Sequence, residues 1–414
     1  MSAAYGLRRV IALVAAALGI PGVLTAQVDS ARVKRDSVLA PPRDTTSVQG
    51  SVYTRPFIAS AARTAIGGYV EGNTNYFVED GVTDGFSMEL RRFNIFVFSS
   101  IASRLRFFSE LEFEHGTEEI ALETAQLDFQ ITPQLALRAG ILLPPIGAFN
   151  QNHDSPRWEF VDRPLVSTQI IPATLSEVGF GAYGRLSPAR GMGITYDAYL
   201  TNGLGDGILL NDEGRTLLSA GKSEDQFAED NNGSPALSAR LGFLRSGLGE
   251  IGISYYGGVY NSFREDGVEV DDRRRVTLSA LDFATDIGRL NIRGELAQSW
   301  IDVPESLTEL LGRKQRGGHL DFVLQLVRRP MLGLPRATIN AALRLEHIDY
   351  NIGSFEATGR KIRDEVTAIV PGISFRPAAN TVFKANYRWQ RMHDVLGNPP
   401  ARLGGYQVGF ATYF

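Results

Sequence analysis

The sequence predicts an all-β chain, a 16-stranded antiparallel transmembrane β-barrel with long external loops and short periplasmic turns. Three observations carry this expectation. From Ile66 onward, segments of about 10 to 13 residues alternate apolar and polar side chains, the length and period of a tilted membrane strand. The joins between them alternate short and long. The chain also ends on a strand that places Tyr406, Val408, Phe410 and Phe414 on one face and Gln407, Gly409 and Ala411 on the other. A soluble domain rarely ends this way, whereas a closed membrane wall, with lipid outside and water inside, needs that split.

The elements follow in chain order. Arg8 and Arg9 precede an apolar run from Val10 to Ile20, then Pro21 and the small-residue exit Leu24-Thr25-Ala26, the layout of a signal peptide over 1–26. No other stretch approaches the ~18 apolar residues that a spanning helix needs, which excludes a helical membrane protein. Residues 27–64 are polar, carry Pro41-Pro42 and lack a sustained period, so they read as a flexible periplasmic segment. The barrel domain covers 65–414. With no cysteine, the chain has no disulfide, thiolate metal site or N-terminal lipid anchor. Its net charge of −4 and scattered basic residues give nucleic acid no purchase. The mean hydropathy of −0.09 is what alternating strands average to.

Strands are expected near 66–78, 86–99, 103–115, 121–132, 134–143, 177–187, 191–202, 235–245, 250–261, 275–286, 289–301, 317–328, 336–349, 363–375, 381–392 and 404–414. The third is the cleanest: Leu105, Phe107, Leu111 and Phe113 oppose Arg104, Arg106, Glu110, Glu112 and Glu114. A helix would mix those sets on every face. Short turns include Thr132-Pro133-Gln134, Ser187-Pro188-Ala189-Arg190, Ser246-Gly247-Leu248-Gly249, Ile287-Gly288 and Pro377-Ala378-Ala379-Asn380. An even strand number closes the sheet without a free edge, and a barrel this wide holds an aqueous bore.

The fifth connection, Pro144 to Ser176, is too long for a routine loop, and its Pro and aromatic content suits folding into the bore as a constriction. Its candidate residues are Arg157, Trp158, Glu159, Asp162 and Arg163; a surface loop covering the mouth, or a subunit contact, is the competing reading. The connection from Asn202 to Ser234 is as long but acidic, and reads as a solvated external flap. On the inferred lumen face, Arg138, Arg240, Arg293, Arg344, Lys384 and Arg388 lie near mid-height with Glu110 and Glu295. A basic belt would favour anions, whereas cross-strand pairing would merely stiffen the wall.

The segments Arg91-Arg92-Phe93-Asn94-Ile95, Phe107-Phe108-Ser109-Glu110-Leu111-Glu112-Phe113 and Leu137-Arg138-Ala139-Gly140, leading into Pro144-Pro145-Ile146-Gly147, resemble the phosphate-selective porin O and P family. The resemblance implies a trimeric outer-membrane porin passing small anions such as phosphate. The loop departs from the family by offering Arg157 and Arg163 alongside four acids, Asp154, Glu159, Asp162 and, at its edge, Glu177, without a lysine cluster.

Other motifs lead nowhere. Gly179-Phe180-Gly181-Ala182-Tyr183-Gly184 matches a dinucleotide fingerprint, but inside a strand and not at a turn into a helix. Gly221-Lys222-Ser223 lacks the first glycine of a phosphate loop, where Thr216 stands. Histidines 115, 153, 319, 347 and 393 show no ligand spacing, so neither a metal nor a cofactor is expected. The expected function is a non-enzymatic diffusion channel whose partners are outer-membrane lipid and small polar solutes. The alternatives are a structural or partner-binding barrel, or a hydrolase at the rim.

Overall fold

A computed structural model describes residues 47–58, 63–223 and 227–414. The expected signal peptide, residues 27–46 and 59–62 of the polar segment, and Glu224 and Asp225 of the acidic flap lie outside the described residues.

The strands are β1 (Thr64–Glu79), β2 (Phe86–Ala102), β3 (Leu105–Glu114), β4 (Glu119–Thr132), β5 (Leu135–Leu142), β6 (Glu177–Leu186), β7 (Met192–Thr201), β8 (Ala236–Arg245), β9 (Gly249–Val259), β10 (Arg264–Glu265), β11 (Val268–Glu269), β12 (Arg275–Ile287), β13 (Leu290–Ile301), β14 (Lys314–Arg328), β15 (Thr338–Asp349), β16 (Glu365–Ala378), β17 (Thr381–His393) and β18 (Ala401–Tyr413). All but β10 and β11 form one closed barrel of 16 antiparallel strands, each paired with its sequence neighbours. The barrel closes where β1 meets β18, with Tyr69 opposite Tyr413 and the backbones of Gly68 and Phe414 exchanging hydrogen bonds. β10 and β11 make a separate hairpin in the β9–β12 connection; two residues a side are too short to register as a period in the sequence.

Side-chain period follows the two solvents. Along β18, Tyr406, Val408 and Phe410 are exposed on the outer face, whereas Gln407 and Ala411 are buried inside. At mid-height Leu241, Ile253, Leu281 and Leu296 lie side by side across β8, β9, β12 and β13, all exposed. Rings border this aliphatic belt. Phe129, Phe243 and Phe383 stand toward the short-turn end, and Tyr255, Trp300 and Trp389 toward the long-loop end. Aromatic girdles flanking an apolar band mark the two interfaces of a bilayer, and the longer loops face the exterior.

The polar segment departs from expectation over its last part. Residues 47–58 are not free in the periplasm but lie against the inner wall, with a 3-10 turn at Ser51–Thr54. The cause is the apolar content hidden in this text: Val52, Tyr53, Phe57 and Ile58 pack on Tyr69, Phe96, Phe98 and Phe108. Gln49 donates to the carbonyls of Gly184 (3.2 Å) and Tyr196 (2.9 Å), and Glu250 accepts from the Val48 amide at 2.9 Å, so the segment crosses from β9 toward β2.

The belt yields a test of the membrane assignment. Ile253→Arg is expected to destabilise the barrel in lipid vesicles by about 2–4 kcal/mol, and Ile253→Val to change little. Denaturant titration measures both, and equal stability of the arginine variant would place Ile253 off the lipid.

Candidate functional site

The connection between β5 and β6 runs inside the barrel. Its anchors are wall side chains from six strands. Ser254 on β9 and Glu295 on β13 accept from the backbone amides of Gly147 (2.9 Å) and Ala148 (2.9 Å), and Glu346 on β15 accepts from that of Leu165 at 2.7 Å. On β16 and β17, Arg376 pairs with Glu159 at 2.8 Å, and Asn386 accepts from the Val161 amide at 2.8 Å. Gln407 on β18 donates to Asp162 at 2.7 Å. The only α-helix among the described residues, Leu165–Gln169, lies in this loop.

The five candidate residues of the loop separate by role. Arg157 donates to the Tyr413 hydroxyl and the Ser51 carbonyl, both at 2.8 Å, tying the loop to β18 and to the N-terminal segment. Trp158 is buried against Phe149, ring centroids 4.7 Å apart, and the Arg293 guanidinium stacks on it at 4.9 Å. Glu159 binds Arg376 and the Ser374 hydroxyl, and Asp162 binds Arg91 at 3.0 Å. Of the two arginines, Arg157 has Asp154 at 3.6 Å, whereas Arg163 has no carboxylate at ion-pair distance among the described residues; it donates to the Thr174 hydroxyl at 3.2 Å.

The mid-height residues do face inward, and they are matched. Arg138 makes a two-point contact with Asp128 (2.7 and 2.8 Å), and Arg344 does the same with Asp321 (2.7 and 2.8 Å). Arg240 binds Asp282 at 2.6 Å and Glu250 at 2.9 Å, and Arg388 binds Glu346 at 2.9 Å. The Lys384 ammonium donates to the carbonyls of Ser155 (3.0 Å) and Phe160 (2.9 Å), and Arg293 donates to Asn291 at 2.7 Å. Glu295 accepts from the Ser167 hydroxyl at 3.0 Å as well as from the loop backbone. Such two-point pairs combine charge with fixed geometry, which suits a crowded interior.

The residue that the sequence reading passed over is Arg55. Only 1% exposed, it bridges Asp154 of the loop (2.7 Å) and Glu110 of β3 (3.1 Å), and its guanidinium stacks on Phe96 at 4.1 Å. Glu110, His153 and Asp154 offer ligand atoms within 4.8 Å of one another, but the Arg55 guanidinium already supplies the positive charge between the two carboxylates. A cation there would meet like charge, so these residues do not fit a metal. Burial alone would raise the Asp154 carboxyl; Arg55, and then Arg157, instead hold it well below the usual carboxylate range. Glu159 beside Arg376 and Asp162 beside Arg91 are lowered in the same way against their burial.

Between this loop and the β2–β4 wall lies a polar cleft of about 300 Å³, bordered also by the β7–β8 connection through Ser219 and Lys222. That connection is therefore not wholly a solvated flap: Leu204, Ile208 and Leu218 are buried against the interior cluster that holds Ile170, Ile171 and Tyr256.

No protein-family model matches the chain. An uncharacterized protein of Aquifex aeolicus (strain VF5) is 34% identical over 213 residues, 49% of this chain, and the chain spans only 45% of that relative's length. Among solved structures, the outer membrane channel DcaP of Acinetobacter baumannii superposes with a TM-score of 0.55 at 11% identity, covering 86% of this chain and 99% of that one. The Salmonella typhi OmpF complex with daunomycin gives 0.52 at 11% identity, over 85% and 97% of the two chains. A loop-deletion form of OmpT, an outer membrane protein of Vibrio cholerae, gives 0.51 at 11%, over 85% and 100%. The shared feature is the closed β-barrel fold. The protein is a β-barrel of the outer membrane.

The Arg55 clamp gives two expected outcomes. A carboxyl lowered by folding stabilises the fold above its unfolded value of about 4, and that contribution fades only as pH falls through the lower folded value. Hydrogen exchange across residues 149–162, corrected for its intrinsic pH dependence, should therefore stay slow from pH 7 to about pH 4. Asp154→Asn should speed it at pH 7. Arg55→Ala, which strands two buried carboxylates, should cost about 3–5 kcal/mol of unfolding free energy. Unaltered exchange in both variants would show that the clamp does not hold the loop.

Proposed function

We propose that the protein is a passive diffusion channel for small hydrophilic solutes. The observation that carries this reading is the division of the wall: polar and charged groups line the inside of strand after strand, while the outside at the same height is aliphatic. A wall of sixteen strands is too wide for its own side chains to fill. In this reading the β5–β6 connection narrows the bore from within, residues 47–58 narrow it at the periplasmic end, and the cleft beside β2–β4 is part of the remaining path.

The anion preference expected from the basic belt gains little support from the geometry. Arg138, Arg240, Arg344 and Arg388 each face a carboxylate, which leaves little free positive charge to bias ions. The phosphate preference implied by the family resemblance has no lysine cluster to rest on. We therefore assign weak charge selectivity to the channel, and assembly as a homotrimer as in the resembled family. A closed barrel with a structural or partner-binding role is the second reading, favoured by the burial of most inner side chains at mid-height, among them Asn94, Ser238, Asp282 and Ser374.

Planar-bilayer recording separates these readings. Stepwise ohmic conductance in potassium chloride, with a reversal potential near zero in a salt gradient, is the expected result. A sealed barrel would establish the second reading, and a strongly anionic reversal potential would restore the basic belt. Arg55→Ala should raise the conductance by freeing both fillings of the bore, and the mass of the protein–detergent complex reports the subunit number.

A further inference from the structure

Elsewhere in the interior, charges without an ion pair, such as Lys384 and Glu295, are taken up by hydrogen bonds, whereas the cleft holds a guanidinium and a carboxylate that each keep a buried atom with no partner. Of its basic groups, Arg92 is taken up by Glu71 (3.1 Å) and Glu114 (2.5 Å). Glu112 accepts from Asn94 at 2.7 Å. What remains on the loop side is Arg163 and Lys222. Their side chains converge on one residue: Arg163 donates to the Thr174 hydroxyl and Lys222 to the Thr174 carbonyl, both at 3.2 Å. Among the described residues neither has a carboxylate at ion-pair distance, and Nη2 of Arg163 is buried without a hydrogen-bond partner. On the wall side Glu119 and Glu123 of β4 line the same space without a cation at ion-pair distance among the described residues, and Oε2 of Glu123 is likewise buried and unpartnered.

Two gathered cations thus face two free carboxylates across about 300 Å³. A simple anion, phosphate included, would be drawn to the first pair and repelled by Glu112, Glu114, Glu119 and Glu123. A simple cation would meet Arg92, Arg163 and Lys222. A solute with a charge of each sign satisfies both sides at once. We propose that this cleft binds small zwitterions, solutes bearing one carboxylate and one ammonium group such as free amino acids and short peptides. The carboxylate lies on Arg163 and Lys222, and the ammonium on Glu123 with Glu119. A narrow polar cleft strengthens such contacts relative to bulk water, and two modest contacts hold a solute weakly enough to be released inward. The site lies toward the external ends of β3 and β4, where an entering solute meets it before the Arg55 clamp.

As a substrate class this rests on the channel reading, but binding is measurable without transport. Isothermal titration of the full-length protein folded in detergent micelles, with glycylglycine as probe, should show saturable binding at least about tenfold tighter than acetate or ethylammonium, each of which carries one half of the charge pattern. Glu123→Gln should weaken glycylglycine about tenfold, as should Arg163→Gln; Lys222→Gln, on an external connection, keeps the test open if an interior variant misfolds. Acetate or ethylammonium binding as tightly as glycylglycine would overturn the proposal, as would no binding or indifference to all three substitutions. Conductance of the same preparation in potassium chloride keeps the two claims apart. Conductance without glycylglycine binding removes the site and leaves the channel; binding without conductance keeps the site and removes the channel.

Discussion

Hydrocarbon offers no hydrogen-bond partner to a peptide group, and the rest of this structure follows from that one constraint. A sheet in lipid has to close, because each open edge would strand a row of amides and carbonyls. Here closure falls to the two ends of the strand series: β1 receives β18 over eleven residue pairs, and the Phe414 backbone completes the ladder against Gly68. Beside this seam the Phe414 ring lies against Phe93 of β2, 5.6 Å between centroids. Once closed, the wall has one face in lipid and one in the bore, and a period of two is the only pattern that serves both.

Closure at this circumference creates the second problem, an interior that wall side chains cannot fill. Two segments with no strand period of their own occupy much of it. Both need polar anchors, since an irregular backbone away from water has amides and carbonyls to satisfy, and this accounts for Glu295, Glu346 and Asn386 being turned toward loop amides. Charges so enclosed are tolerable only when matched. Space is made for the matches: a side chain at Gly252 would stand 2.1 Å from the Arg240 guanidinium, so only a glycine on β9 lets Arg240 of β8 reach across to Asp282 of β12.

How much of this was legible in the sequence depends on whether a feature is local. The strands were, because each reports its two solvents residue by residue; β3, β4 and β18 lie within two or three residues of the places their alternation marks. Some pairings were legible too. Asp128 and Arg138 are equidistant from Pro133, so a tight turn there sets them opposite one another, and the register does so. The bridge from Arg240 to Asp282 skips a strand and leaves no such trace. The clamp was hidden for a different reason. Arg55 sits in text without a period, its partners are 55 and 99 residues away, and the apolar residues that seat it are too few to stand out from a polar segment. The fold of the β5–β6 connection is likewise a matter of tertiary contacts, although its proline and aromatic content did mark it as more than a tether.

An interior this thoroughly matched makes its exceptions informative. Paired wall charges stand on adjacent strands or one strand apart, as Arg240 does from Asp282, and the ladder register fixes them relative to one another. The cleft is assembled differently. Its two carboxylates without a cation, Glu119 and Glu123, stand on β4, whereas Arg163 and Lys222 are carried by two separate connections, and neither register nor turn geometry obliges the two sets to meet. What keeps Arg163 in place is its neighbour: Asp162 is held by Arg91 and Gln407 from opposite sides of the β1–β18 seam, while Leu165 is held by Glu346. The contacts that neutralise the rest of the bore thus also suspend a guanidinium opposite carboxylates it does not touch. A protein that needed only a stable filling could have let these groups collapse into pairs, as it does at Asp128, Asp282 and Asp321. Holding them apart is the arrangement expected where a third body, carrying both charges, completes the contact.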